Sequence, residues 1–224
     1  MAIYLLSLFG SASIGVYSQA TDRIAIIPPQ APERKVDKVE EWLGVKVAKT
    51  MIGGSVVVGA LSCANSNGII LPHYVKEKEI ETIKSVADDA NLVVMDTKKT
   101  AYGNMVLAND YGAVVDPRLK PTTIEEISNA LDVEVVPGEI ADLPYTGSLA
   151  LATNKGVLAH PLISEEEQQL LEEVLKVPVD VGSVNCGIPY VATGLIGNSS
   201  NVVAGSLTTG PEMFILGQAL DVVK

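Results

Sequence analysis

Gly103-Asn-Met-Val-Leu-Ala-Asn-Asp-Tyr-Gly112, running on through Ala113-Val-Val-Asp-Pro117, is the stretch from which the fold is read. It contains a glycine, a short apolar run closing on alanine, an Asn/Asp turn closing on glycine, and an aliphatic run ending in proline. Asn, Asp and Gly tolerate left-handed backbone, so two aliphatic runs around such a turn read as a hairpin. The pattern does not stand alone. Gly15, Gly59, Gly103 and Gly147 fall at a constant spacing of 44 residues, each followed five positions later by Ala20, Ala64, Ala108 or Ala152. A small polar residue comes next in every copy: Thr21, Asn65, Asn109 and Thr153. Ala192, Gly197 and Asn198 give a fifth copy, displaced by one inserted residue.

Each copy then continues alike. Aliphatic runs close on Pro28, Pro72, Pro117 and Pro161, while the fifth, Val202-Val-Ala204, has no proline. A helix follows, with apolar stripes such as Val36, Val39 and Leu43 or Ile80, Ile83 and Val86 and a Glu/Lys-rich opposite face. Thr122-x-x-Glu125, Ser164-x-x-Glu167 and Thr209-x-x-Glu212 read as capping boxes opening three of these helices. A second aliphatic run, such as Leu92-Val-Val-Met95 or Val133-Glu-Val-Val136, leads towards the next glycine. The fifth copy lacks that last strand, and residues 1–14 supply it. The expected architecture is one domain over residues 1–224, an α/β ring of five hairpin–helix–strand units. Its N- and C-terminal segments pair to close it, which removes exposed sheet edges.

Composition limits the functions such a ring can serve. The chain is 47% hydrophobic but only 4% aromatic, so its core is aliphatic. Twenty-seven acids against sixteen bases leave a net charge of −11, which argues against extensive nucleic-acid binding, since that needs clustered Lys and Arg. An acidic chain suits a basic protein partner. Two cysteines make no disulfide framework, and no Cys/His cluster calls for a metal. The apolar N-terminus lacks a basic leader region and reads as a buried strand rather than a signal peptide. No run reaches eighteen apolar residues, so no membrane span is expected and the compartment is read as cytoplasmic. Gly53-Gly54-Ser55 has neither the lysine nor the spacing of a phosphate loop, so no cofactor is implied.

Five such units closed into a ring resemble the pentein fold, whose branches include guanidine-modifying enzymes and translation initiation factor six of archaea and eukaryotes. The second branch is the closer likeness, along nearly the whole chain. It is carried by Ala64-Asn-Ser-Asn-Gly-Ile-Ile-Leu-Pro72, by Gly103 to Gly112, by Asn154-x-Gly156 with His160-Pro161, and by Val177-Pro178 continuing to Gly182-Ser-Val-Asn185. The resemblance implies a monomer that sits on the intersubunit face of the large ribosomal subunit. There it would meet a universal ribosomal protein, fourteen in the standard numbering, beside the sarcin–ricin loop. It would hold off the small subunit sterically, without chemistry.

Glycines and turn asparagines on one flat face are expected to make that contact: Gly15, Gly59, Asn65, Gly103, Asn104, Asn109 and Asn154. Asn104 is the sharpest of these, because the other copies carry Val16, Ala60 and Ser148 in its place. The evenly spaced glycines also suit backbone geometry, and Asn65, Asn109 and Asn198 also suit turn formation.

The enzyme branch would use a late cysteine with a histidine and carboxylates. Cys186, His160 and His73 are the available groups. Cys186 has no Lys, Arg or His within nine residues to lower its pKa, and it reads as a small buried hydrophobe. His160 reads as an exposed turn residue, and the carboxylates as a solvated helix face. A scaffolding or metabolite-binding ring without catalysis is the remaining class. An enzyme should show a Cys/His/carboxylate cluster at the ring's centre, a ribosome factor a flat polar face.

Overall fold

The computed structural model describes residues 2–222. Its first strand, β1 (Ile3–Leu6), belongs to the last unit of the ring. The first unit then contains α1 (Ile14–Tyr17), β2 (Gln19–Ala20), β3 (Ile24–Ile27), α2 (Glu33–Leu43) and β4 (Lys46–Lys49). The second repeats it as α3 (Val58–Leu61), β5 (Cys63–Ala64), β6 (Gly68–Pro72), α4 (Glu77–Lys84) and β7 (Asn91–Met95). The third runs α5 (Tyr102–Met105), β8 (Val106–Ala108), β9 (Gly112–Val115), α6 (Pro121–Leu131) and β10 (Glu134–Pro137). The fourth is α7 (Thr146–Leu149), β11 (Ala150–Ala152), β12 (Val157–Ala159), α8 (Glu165–Leu175) and β13 (Val179–Val181). The fifth replaces its short helix by a 3-10 turn (Val191–Gly194), followed by β14 (Leu195–Gly197), β15 (Val202–Gly205) and α9 (Gly210–Ala219).

Each unit forms its own three-stranded sheet: an antiparallel hairpin, then a parallel strand reached across the long helix. In the fifth, the parallel strand comes from the other end of the chain. Ile3, Tyr4, Leu5 and Leu6 pair with Val202, Val203, Ala204 and Gly205, closing the ring as the repeat register requires.

The core is not housed unit by unit. Ile127, Ala130 and Leu131 of α6 pack with Ile70 and Met95 of the preceding sheet. In the same way Leu171, Val174 and Leu175 of α8 meet Leu107 and Val114. At the seam, Val36, Val39 and Leu43 of α2 close over Val203 and Ile196, joined by Leu6 and Leu8. All these side chains are buried, so the main cores straddle the unit boundaries.

The helix starts follow expectation in two of three places. Ser164 Oγ accepts from Glu167 N at 3.2 Å while Glu167 accepts from Ser164 N at 2.8 Å, and Glu212 accepts from Thr209 N at 2.7 Å. The box expected at Thr122 does not form. Pro121 takes the first helical position, where its missing N–H costs nothing, and this moves the cap back to Lys120. The four-residue helices α1, α3, α5 and α7 have no counterpart in the sequence reading, because one turn is too short to show a periodicity.

Candidate functional site

A channel lies along the ring's axis, lined by corresponding residues from all five units. One mouth is formed by the short helices and the 3-10 turn. The strand that follows each short helix carries the chain to the hairpin turns, which form the other mouth.

The regularly spaced glycines sit in the second position of the short helices, where neighbouring units come closest. A Cβ on Gly59 would lie 1.9 Å from Gly15 O, and one on Gly103 would lie 1.8 Å from Gly59 O. A Cβ on Gly15 would meet Ala192 O at 1.9 Å, and one on Gly147 would meet Gly103 O at 2.3 Å. Backbone at this distance leaves no room for any side chain, so Gly15, Gly59 and Gly103 are where the ring is packed. Ala192 in the fifth slot shows that one of the five junctions is wider.

Asn65 and Asn109 are buried and bind units together. Asn65 Oδ1 accepts from Asn67 N and Gly68 N at 3.0 and 2.9 Å, closing its own turn. Its Nδ2 donates to Asn109 O at 3.1 Å and Leu131 O at 2.9 Å, the latter at the end of the next unit's helix. Asn109 repeats this with Thr153 O and Leu175 O at 3.0 and 2.8 Å, and Asn198 reaches Leu43 O at 2.8 Å. With every polar atom used inside the protein, Asn65 and Asn109 offer a partner nothing. Thr21 and Thr153 keep the turn bonds but lack the donating arm.

All seven expected contact residues line this one channel, spread from its short-helix end to its hairpin-turn end. Asn154 stands at the turn mouth, where its Nδ2 donates to Asp110 Oδ2 at 2.6 Å and reaches across to Asp22 Oδ2 at 2.9 Å. Ser66 and Ser199 each give a backbone N–H and a hydroxyl to Asp110 and Asp22 respectively, at 2.6–2.7 Å. This mouth is sealed by its own hydrogen bonds. Asn104 stands at the opposite mouth. There Ser148 and Thr193, in corresponding positions, turn their hydroxyls onto Tyr145 O and Tyr190 O. The Asn104 side chain makes no such bond, and it is partly exposed.

The loops leading into the short elements of the fourth and fifth units carry exposed apolar side chains. Tyr145, Ile188 and Tyr190 are each more than 40% exposed. The Arg118 guanidinium lies 5.0 Å from the Tyr145 ring while forking onto Asp116 at 2.9 and 2.7 Å. Burial works against the Asp116 charge, but Arg118 holds that carboxyl below the usual range.

The groups named for an enzyme do not meet in the channel. Cys63 lines it, buried, with its thiol pushed up to about 12 by desolvation. Cys186 and the two histidines are not among the lining residues. Cys186 proves exposed rather than buried, in a left-handed turn at φ 66° where its N–H donates to Glu212. His160 in turn proves buried, its Nδ1 accepting from Leu162 N at 3.1 Å and its pKa lowered by burial. Glu79, Asp116 and Glu212 likewise leave the solvated face assigned to carboxylates. Among the described residues, no group of three or more His, Cys, Asp and Glu could hold a metal, and no helix is long and apolar enough to cross a membrane.

Comparison with known proteins gives a consistent answer. The eIF-6 family model matches residues 3–219. The chain belongs to the eIF-6 family. Translation initiation factor 6 of Staphylothermus marinus is 37% identical over 225 residues, 98% of either chain. The Pyrococcus abyssi protein of the same name is 49% identical over 90 residues, and that match spans 40% of this chain and 40% of the relative's length. Among solved structures, the N-terminal domain of a cyanobacterial arginine dihydrolase superposes with a TM-score of 0.51 at 13% identity, over 76% of this chain and 69% of that one. A dimethylarginine dimethylaminohydrolase gives 0.50 at 11%, over the same shares. This eIF-6 family member thus has the pentein ring that arginine hydrolases also use. At such identity the likeness concerns the fold alone.

Proposed function

We propose that this protein caps the large ribosomal subunit on its intersubunit face and sterically prevents the small subunit from joining, acting as a monomer and without chemistry of its own. The short-helix mouth is the contact face. The partner is chiefly a universal ribosomal protein beside the sarcin–ricin loop, with little direct contact to RNA. The observation that carries this reading is Asn104: an amide with no hydrogen bond inside the protein, on a helix packed against the one that the exposed Tyr145 leads into, in a chain of the eIF-6 family. Tyr, other aromatics and Arg are the residues that anchor protein interfaces, and Tyr145 over Arg118 supplies both.

Co-sedimentation with separated archaeal ribosomal subunits tests it. Stoichiometric pelleting with the large subunit alone is expected, with light scattering reporting a monomer in free solution. Asn104→Arg should abolish pelleting while leaving the thermal midpoint within a degree or two, since the side chain supports nothing internally. No association with either subunit at moderate salt would overturn the reading. The alternative reading is guanidine hydrolysis at Cys186, whose thiol is exposed. Turnover of arginine that Cys186→Ser abolishes would establish it.

A further inference from the structure

The loops before four of the five short helical elements carry a shared feature that one of them leaves unfilled. In the second unit, Gly53 and Gly54 both adopt left-handed backbone, at φ 60° and 78°. Their N–H groups converge on the carboxylate of Glu79, 26 residues after Gly53, with Gly53 N at 2.6 Å from Oε2 and Gly54 N at 2.8 Å from Oε1. The fourth unit repeats this. Ala141 N and Asp142 N each reach one oxygen of Glu167, at 2.9 and 3.0 Å, again with an offset of 26 from Ala141. In the fifth, Cys186 N and Gly187 N take Glu212 at 3.1 and 2.8 Å, with an offset of 26 from Cys186. Successive N–H groups in such turns form an anion-binding nest. The three filled nests are bidentate, with one N–H for each carboxylate oxygen.

The first unit has the same nest: Phe9 at φ 52° and Gly10 at φ 76°. At the corresponding offset stands Lys35 in place of glutamate. Its Nζ turns back onto Ser7 O at 2.6 Å and Ser7 Oγ at 3.3 Å, two residues before the nest. Among the described residues no carboxylate hydrogen-bonds to this turn, and Phe9 and Gly10 are exposed. The third unit has neither the turn nor the acid: its loop shows no left-handed residue, and Thr123 occupies the slot. The first unit alone combines a formed nest with a charge reversal.

We propose that the Phe9–Gly10 nest, with the Lys35 ammonium beside it, is a carboxylate-binding site filled from outside the chain. The ligand's two oxygens each take one backbone N–H, as the oxygens of Glu79, Glu167 and Glu212 do in the sister units, and Lys35 balances the charge. The loop sits on the short-helix side of the ring. If the ribosome reading holds, the carboxylate is therefore an acidic side chain of the partner protein. The nest itself stands without that reading.

The experiment is a titration of the full chain with sodium acetate at constant ionic strength, following backbone amides by two-dimensional NMR. Saturable downfield shifts are expected at Phe9 and Gly10, with half-saturation in the millimolar range. Cys186 and Gly187, already occupied by Glu212, should not respond. Lys35→Ala should weaken the acetate response several-fold. Lys35→Glu should abolish it by restoring the internal acid, with the two amides shifted downfield from the outset. Shifts no larger than at Cys186 and Gly187, or equal shifts with chloride, would overturn the site. An acetate response with large-subunit pelleting intact in Lys35→Glu would assign the site to a small free carboxylate; loss of pelleting would assign it to the partner.

Discussion

Asparagine has two unrelated jobs in this ring, and the difference can be measured. At Asn109 the amide satisfies two carbonyls of the neighbouring unit and two N–H groups of its own turn, three of these bonds buried and the one from Tyr111 N part-buried. Asn109→Ala leaves those groups without partners, and a single orphaned buried group costs about 1–3 kcal/mol. A fall in the midpoint of urea unfolding is expected, whereas Asn104→Ala should leave it unchanged. The glycine slots give a second contrast. Gly59→Ala forces a methyl into Gly15 O, for which the neighbouring unit must move, and overpacking of this kind costs about 1–3 kcal/mol. Ala192→Gly, at the one junction that already accommodates a Cβ, should cost less than 1 kcal/mol if that wider gap is tolerated. Equal destabilisation by the two changes would show that the five junctions are equivalent after all. The sequence makes the slots conspicuous but cannot separate the jobs. A glycine selected because backbone touches backbone and one selected for an intermolecular contact are the same letter. Asn65, Asn109 and Asn104 are distinguished only by what faces them in three dimensions.

Between residue and ring, the nests tie the loop to the following helix in three of the five units, and Glu167 and Glu212 make two of those ties sensitive to pH. Burial opposes the Glu212 charge, but N–H groups of Thr209 and Gly187 and the Ser183 hydroxyl hold its pKa down to about 2. Glu167 is lowered likewise, with Ser164, Asp142 and Ala141 offsetting its burial. A carboxylate with a depressed native pKa stabilises the fold fully above its ordinary value of about 4.3. It loses that contribution as pH falls through the native pKa. Stability should therefore decline from about pH 5 towards pH 2, with Glu212 contributing on the order of 3 kcal/mol to the loss. Glu212→Gln should be less stable at neutral pH and show a shallower acid limb in thermal melts between pH 5 and 2. An unaltered slope would mean that the nest does not hold the charge. The long helices and their stripes were legible because eleven residues display a period. The nests were not, since left-handed backbone at Phe9, Ala141 and Cys186 leaves no mark on residues that are not glycine. The substitution of Lys35 for an acid was visible all along, but it gains meaning only once the three filled nests fix the 26-residue register.

At the scale of the whole ring, cohesion comes from the boundaries. Each unit's helix covers the preceding unit's sheet, so no unit keeps its core if a neighbour opens. Repeat arrays that are open at the ends can unfold from them, but a closed ring has no end unit. The 44-residue register revealed this closure from the sequence, because a final unit lacking one strand and a chain beginning with a spare one have a single mutual solution. What the register could not show is how much of the ring's stability sits at that seam. The structure places Leu6 and Leu8 there, both buried, within a cluster shared by α2, Ile196 and Val203. Full burial of a leucine contributes about 1.5–3 kcal/mol, and removing β1 also strips β15 of its parallel partner. Deleting residues 2–8 should therefore cost several kcal/mol, comparable to the whole stability of many domains. The intact chain is expected to unfold in one transition, with far-ultraviolet circular dichroism and Trp42 fluorescence coincident, because Trp42 stacks on Tyr4 at the seam, 4.5 Å between ring centroids. The shortened chain should melt at least 10 °C lower or fail to fold. If Trp42 loses its native signal in an earlier, separate transition of the intact protein, the seam opens on its own and the ring is a linear array with its ends resting together. If the deletion retains the full midpoint, the strand is ornamental and closure does not hold the fold.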